Sequence, residues 1–158
     1  MKRNATRRQF LGRTLAAGAG AVVAPAIFAR GILGAASPNE RVVTGHIGVG
    51  GMGSGHLNGL KDLCGAICDV DEKAVAKGLA AVAKGGQTRV PKAEKDIRKV
   101  LQDKDVTAIA IAAPDHWHAP AAIMGCAAGK DVYVEKPCCH TPREGELLVA
   151  AARKHNRI

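Results

Sequence analysis

Aromatic side chains and early acidic residues are both scarce in this chain of 158 residues. It contains one Trp, one Tyr and two Phe, and no acidic residue precedes Glu40. Six of its 23 Lys and Arg residues lie in the first 36 positions, so much of the formal net charge of +9 belongs to the amino terminus. Nucleic-acid surfaces combine a basic groove with aromatic rings that stack on bases. Neither pattern occurs after residue 36, and we expect no nucleic-acid partner.

Long apolar runs are also lacking. A membrane-spanning helix needs ~20 consecutive, mainly apolar residues. The most apolar part of the amino terminus, residues 14–29, is shorter, rich in Ala and Gly, and interrupted by Pro25. We therefore expect no stable membrane anchor.

Residues 1–36 are nevertheless typical of a targeting segment. A charged start with Thr6-Arg7-Arg8-Gln9-Phe10-Leu11 precedes the weakly apolar stretch, and Gly34 and Ala36 suit a signal peptidase. This order predicts a twin-arginine signal, which the export machinery reads as an address and which is not an anchor. We expect a periplasmic or otherwise extracytoplasmic protein whose domain covers residues 37–158. A basic tail that contains two arginines by chance is the alternative.

Cysteines occur without a regular framework. Their number, five, is odd, and no paired spacing is repeated as it is in most cysteine-based metal sites. We expect Cys64, Cys68 and Cys126 to be small core residues. The sequence Cys138-Cys139-His140 suggests a zinc ligand set at first sight, but without a second pair of ligands we predict no metal.

Strand and helix patterns alternate from residue 41 onwards. Short apolar runs predict strands, and longer alanine-rich or amphipathic segments predict helices. This alternation indicates an α/β fold with a Rossmann-type, doubly wound parallel sheet. Thr141, Pro142 and Glu144 predict a capped start for the last helix. Predicted strands cover 41–49, 63–70, 106–112 and 132–135; predicted helices follow the first strand for about ten residues and cover 72–84, 93–101, 119–128 and 142–155.

The glycine-rich segment Gly48-Val49-Gly50-Gly51-Met52-Gly53 follows the first strand and opens a helix. In this spacing Gly48 permits a tight turn, Gly50 lets the backbone approach a pyrophosphate, and Gly53 lets the helix pack closely on the strand. Asp69 ends the second strand, about 20 residues later, where a carboxylate accepts the ribose hydroxyls of adenosine. A plain structural turn is the alternative to dinucleotide binding. Because Asp69 would repel a 2′-phosphate, we predict NAD rather than NADP.

Two further segments follow predicted strands, at the sheet edge where open α/β folds bind ligands. The first is Pro114-Asp115-His116-Trp117-His118, whose histidines suggest a metal fragment, a wall beside a cofactor or the start of a helix. We favour the wall, because no third or fourth metal ligand is evident. The second is Glu135-Lys136-Pro137, which places a carboxylate and an ammonium together and is a candidate reaction centre.

These motifs, in this order and spacing, resemble the glucose–fructose oxidoreductase / inositol 2-dehydrogenase (Gfo/Idh/MocA) family from about residue 41 to residue 158. The resemblance implies that the glycine turn, including Gly51 and Met52, holds the pyrophosphate of NAD and that Asp69 holds the adenosine ribose. It places Pro114 and His118 along the cofactor near its nicotinamide half. It also implies that Glu135 contacts the nicotinamide-side ribose, that Lys136 reaches the substrate hydroxyl, and that the Lys136-Pro137 bond is cis.

The chain stops where the family continues into a sixth strand and a carboxyl-terminal substrate domain. We therefore expect a truncated form that lacks the last strand and the domain that sets the sugar or polyol and forms the homo-oligomer. Three functions stay open. They are hydride transfer between NAD and a sugar or polyol, dinucleotide binding without catalysis, and glycoside cleavage by transient oxidation with bound NAD.

Overall fold

A five-stranded parallel sheet forms the centre of the protein. The computed structural model describes residues 42–85 and 89–158. The strand order is β3-β2-β1-β4-β5, and all four neighbouring pairs are parallel. The order reverses direction at β1, which confirms the Rossmann-type α/β fold. The strands are β1 (Thr44–Ile47), β2 (Cys64–Cys68), β3 (Lys92–Glu94), β4 (Ala108–Ile111) and β5 (Asp131–Val134).

Helices connect successive strands and follow the last one. The amino-terminal cap of the last helix was predicted correctly: the Thr141 hydroxyl accepts the amide of Glu144, whose carboxylate in turn accepts the Thr141 amide. Short 3₁₀ turns cover Lys61–Leu63 and Asp115–Trp117. The helices are α1 (Gly51–Gly59), α2 (Glu72–Ala83), α3 (Ile97–Gln102), α4 (His118–Ala127) and α5 (Pro142–His155).

The predicted helix over 93–101 is wrong in its first part. Strand β3 occupies Lys92–Glu94, and the helix begins only at Ile97, after Asp96 caps it by accepting the Arg98 amide. Lys, Ala and Glu favour helices locally. Parallel pairing of this segment with β2 outweighs that preference, since sheet formation depends on the neighbouring strand more than on intrinsic propensity.

Apolar side chains around the sheet form two clusters. One contains Ile109 and Ile111 of β4 with Val100 of α3, and the other joins Leu57, Ile67 and other residues of α1, β2 and α2. Burying such side chains contributes roughly 1.5–3 kcal/mol each. Cys64, Cys68 and Cys126 are buried, as predicted for core residues.

The predicted export signal, residues 1–36, lies outside the residues that the structure describes. Within residues 42–85 and 89–158, no helix has both the length and the apolar character that crossing a bilayer would require.

A buried histidine in β1 makes the stability of the fold depend on pH. His46 is 1% exposed, and its Nε2 lies 3.0 Å from the Thr44 hydroxyl. Burial, assisted by repulsion from His56, lowers the pKa of His46 to about 4. The folded protein therefore holds this imidazole neutral at pH values where an unfolded histidine takes up a proton.

We predict that unfolding free energy decreases by about 2 kcal/mol between pH 7.5 and pH 5 because of His46. The loss begins near the ordinary histidine pKa and ceases near pH 4, where both states are protonated. Urea denaturation of the wild type and His46→Gln at the two pH values measures this contribution, because glutamine does not titrate. Equal pH dependence in the two proteins would disprove the assignment.

Candidate functional site

A cavity of about 640 Å³ opens at the carboxyl ends of the strands. Its walls come from the glycine turn after β1 and from the loops after β2, β3 and β4. This position, where the strand order reverses, is where open α/β sheets bind ligands. Of the ten residues expected to form the site, four line the cavity: Gly48, Gly50, Asp69 and Pro114.

Gly48 sits where two strand ends nearly touch. Its φ of 79° lies in the left-handed region, and its amide donates to the carbonyl of Cys68 over 2.8 Å. A Cβ added to Gly48 would lie 2.7 Å from backbone atoms of Ala112 and Ala113. Both the conformation and the space at this position therefore require glycine.

The start of α1 meets the same turn and leaves its first amides open. A Cβ on Gly53 would lie 1.9 Å from the Gly48 carbonyl oxygen, whereas Cβ atoms on Gly50 or Gly51 would meet no atom within 4 Å. No side chain caps this helix, and the Met52 side chain is exposed. Uncapped amides at a helix start favour an anion such as a pyrophosphate.

Asp69 is oriented by the backbone on both sides. Its Oδ2 accepts the amide of Val49 at 2.9 Å, and its Oδ1 accepts the amide of Asp71 at 3.0 Å. Each carboxylate oxygen has a second lone pair. The same side chain can therefore hold the glycine turn in place and still accept a hydroxyl from the cavity.

The loop between β3 and α3 also lines the cavity. The sequence does not predict this loop as part of the site, because the residues of β3 favour a helix. The loop adds two cations beside Asp69, and each is already paired. The Arg98 guanidinium donates to Asp96 over 2.7 and 2.9 Å, and the Lys95 ammonium to Glu72. Each pair lowers the pKa of its carboxylate, through hydrogen bonds from Arg98 and from Lys95.

The two histidines of the loop after β4 lie in different surroundings and do not form one site. His118 is 4% exposed, with Nδ1 at 2.6 Å from the Pro137 carbonyl oxygen and Nε2 at 2.7 Å from that of Ala113. His116 is exposed, lines the cavity and lies near Asp115. The His116 amide donates to Asp115 and lowers the pKa of that carboxyl. His118 thus ties two loops together, and its contact with a cofactor stays a prediction.

No metal-ligand group occurs among the described residues: nowhere in 42–85 or 89–158 do three His, Cys, Asp or Glu side chains come together as a ligand set.

Glu135 and Lys136 follow β5, outside the lining of the cavity. The Lys136 amide donates to Glu135 Oε2 at 3.0 Å, and His56 Nε2 of α1 lies 2.9 Å from Oε1. These donors, the Lys136 amide first, lower the pKa of Glu135. The Lys136-Pro137 bond is cis, as the resemblance implied, and the Lys136 side chain is exposed. Sequence reasoning missed His56, because nothing local links it to Glu135.

Comparison with known families identifies the chain. The model of the Gfo/Idh/MocA oxidoreductase family, NAD-binding Rossmann fold, matches residues 42–158. The chain belongs to this family. The resemblance in the sequence and the expectation of NAD are thereby confirmed.

Curated relatives of this Gfo/Idh/MocA domain are much longer proteins. A glycosyl hydrolase family 109 protein of Shewanella pealeana is 32% identical over 122 residues, which are 73% of this chain and 27% of the relative. An alpha-N-acetylgalactosaminidase of Shewanella oneidensis is 30% identical over 135 residues, covering 79% of this chain and 29% of that protein. The chain therefore spans less than a third of the length of these relatives.

A solved structure supports the same fold with a nicotinamide cofactor. The complex of levoglucosan dehydrogenase with NADH superimposes with a TM-score of 0.61 and 26% identity, over 74% of this chain and 33% of that one.

Gly53→Ala should lower the unfolding free energy by roughly 1–3 kcal/mol, because its methyl group overlaps the Gly48 carbonyl and forces the turn apart. Gly55→Ala in the same helix is the matched control, since a Cβ there meets no atom within 4 Å. Alanine should stabilise that helical position by about 0.5–1 kcal/mol. Urea denaturation compares both with the wild type, and effects of the same sign would refute this account of the turn.

Proposed function

We propose that this chain is the NAD-holding part of an enzyme that transfers hydride between the nicotinamide and a hydroxyl of a sugar or polyol. The observation that best supports this proposal is that three features meet at one crevice. They are the uncapped amides of α1, a glycine turn with no room for a Cβ atom, and the oriented carboxylate of Asp69. The relatives are about three times as long, so the activity is proposed for the whole protein.

The chain's residues divide between the two halves of the cofactor. The amides of Gly50, Gly51 and Met52 would hold the pyrophosphate, and Asp69 the adenosine ribose. Near the other half, Glu135 would hold the second ribose. When bound, NAD supplies the carbon that accepts or returns hydride.

Lys136 would move the proton. It lies beside Glu135 and is exposed, and its ammonium makes no hydrogen bond or ion pair within the described parts of the chain. Its Nζ is therefore available to a substrate hydroxyl, where a positioned amine can take the proton as hydride leaves carbon. Pro114 lines the cavity and would limit the space beside the cofactor.

The charges around Asp69 support NAD over NADP. Arg98 and Lys95 stand near the adenosine end, but Asp96 and Glu72 already neutralise them. The negative charge of the Asp69 carboxylate is therefore not balanced by these two cations. A 2′-phosphate would meet this negative charge without a free arginine to compensate.

The names of the curated relatives favour a second candidate. Both Shewanella proteins are named as glycosidases. A glycosidase of this type would oxidise a sugar hydroxyl, eliminate the leaving group, add water and return the hydride, so NAD would be regenerated in every turnover. The same domain would serve both reactions. A module that binds NAD without catalysis is the remaining alternative.

We further propose that residues 1–36 direct the folded protein out of the cytoplasm through the twin-arginine route. The paired arginines, the weak apolar stretch and the small residues before Ser37 support this proposal.

Calorimetric titration of the chain should detect NAD binding and weaker NADP binding. Asp69→Ala should weaken NAD binding at least about tenfold, since it removes a charged acceptor for the ribose and a brace of the turn. Asp71→Ala is the matched control, because it removes a nearby carboxylate whose side chain accepts the Lys73 amide at the start of α2 and does not line the cavity. A folded chain that releases no heat with NAD, or binds NADP as tightly, would contradict the assignment.

Absorbance at the NADH band distinguishes the two activities in the whole protein. A dehydrogenase given NAD and a free sugar should accumulate NADH. A glycosidase should release the leaving group of an α-N-acetylgalactosaminide without net NADH. Lys136→Ala should abolish whichever activity is present while leaving NAD binding within about threefold. Full activity in that variant would remove Lys136 from the reaction.

A further inference from the structure

We propose that His56 is a positioning residue for Glu135 and, through it, for the nicotinamide half of the site. The inference rests on the proposed function, because it assumes that Glu135 faces the nicotinamide-side ribose. His56 belongs to the last turn of α1, whose first turn forms the pyrophosphate end of the crevice. One helix would thus serve both halves of the cofactor.

The contact between the two side chains is shielded from water. His56 Nε2 lies 2.9 Å from Glu135 Oε1, and the side chains are 18% and 12% exposed. A hydrogen bond to a charged group is stronger in such surroundings than on an open surface, where water competes for both partners. The imidazole N–H therefore restrains the carboxylate.

The second oxygen of Glu135 is held by a separate donor. Oε2 accepts the Lys136 amide at 3.0 Å. Oε1 also accepts the Tyr133 hydroxyl, at the longer distance of 3.5 Å. Rotation of the carboxylate would break the contacts of its oxygens with His56 and the Lys136 amide, so these donors together fix its plane. His56 itself is held by the Tyr133 ring, which it meets edge-on with a centroid distance of 5.2 Å and an interplanar angle of 73°.

The other nitrogen of His56 argues against a purely structural role. Nδ1 is buried and has no hydrogen-bond partner among the described residues. An unsatisfied buried polar atom costs free energy, and an apolar side chain at this position would avoid that cost. The imidazole is better explained by what Nε2 does for Glu135.

The test is calorimetric titration of the full chain with NAD and, separately, with ADP, which lacks the nicotinamide half. His56→Ala should weaken NAD binding about tenfold, as expected for loss of one hydrogen bond to a charged group. It should leave ADP binding within about twofold. His56→Gln should restore NAD binding, because its amide can donate from near the position of Nε2. Asn58→Ala, an exposed position on the same helix, is the matched control.

A double-mutant cycle separates positioning from general damage. In a chain that already carries Glu135→Ala, the change His56→Ala should cost no further NAD affinity. If His56→Ala does not fold, His56→Asn replaces it, since its amide is too short to reach Glu135.

Three outcomes would overturn the inference. They are equal losses for NAD and ADP, unchanged NAD binding in His56→Ala, and full additivity in the cycle. A folded wild type that binds ADP but not NAD would instead overturn the proposed function, and this inference with it.

Discussion

The close approach of three backbone segments at the glycine turn determines the rest of the site. The end of β1, the end of β4 and the start of α1 meet where Gly48 and Gly53 leave no room for a Cβ atom. This contact fixes the height and direction of α1 above the sheet. The open amides of the helix therefore face the crevice at one end, while the other end carries His56 to Glu135.

Features encoded in a few consecutive residues were predictable. The start of α5 can be predicted from Thr141, Pro142 and Glu144, because helix capping depends on neighbouring residues. The glycine turn is similar, since its spacing reflects steric demands inside one strand–turn–helix unit. The core positions of Cys64, Cys68 and Cys126 were predictable because these cysteines lack a regular framework and free cysteine behaves as a small apolar residue.

Features that depend on distant partners were not predictable. Strand β3 has exposed, helix-favouring residues and exists because β2 offers it an edge. Because the sequence does not predict this strand, it also does not predict that the next loop brings Lys95 and Arg98 to the cavity. The charges near Asp69 were therefore not predictable. His56 and Glu135 are far apart in the chain, and only the packing of α1 beside β5 brings them into contact.

The link made by His118 bears on how the site can move. Its two ring nitrogens lie within hydrogen-bond distance of carbonyl oxygens of Ala113, after β4, and Pro137, after β5. If either loop moved outward alone, a buried ring nitrogen would lose its neighbouring carbonyl oxygen, so the ring restrains the two loops together. A ligand in the crevice would therefore meet a restrained wall on this side, whereas the loops after β2 and β3 carry ion-paired side chains that are exposed to solvent.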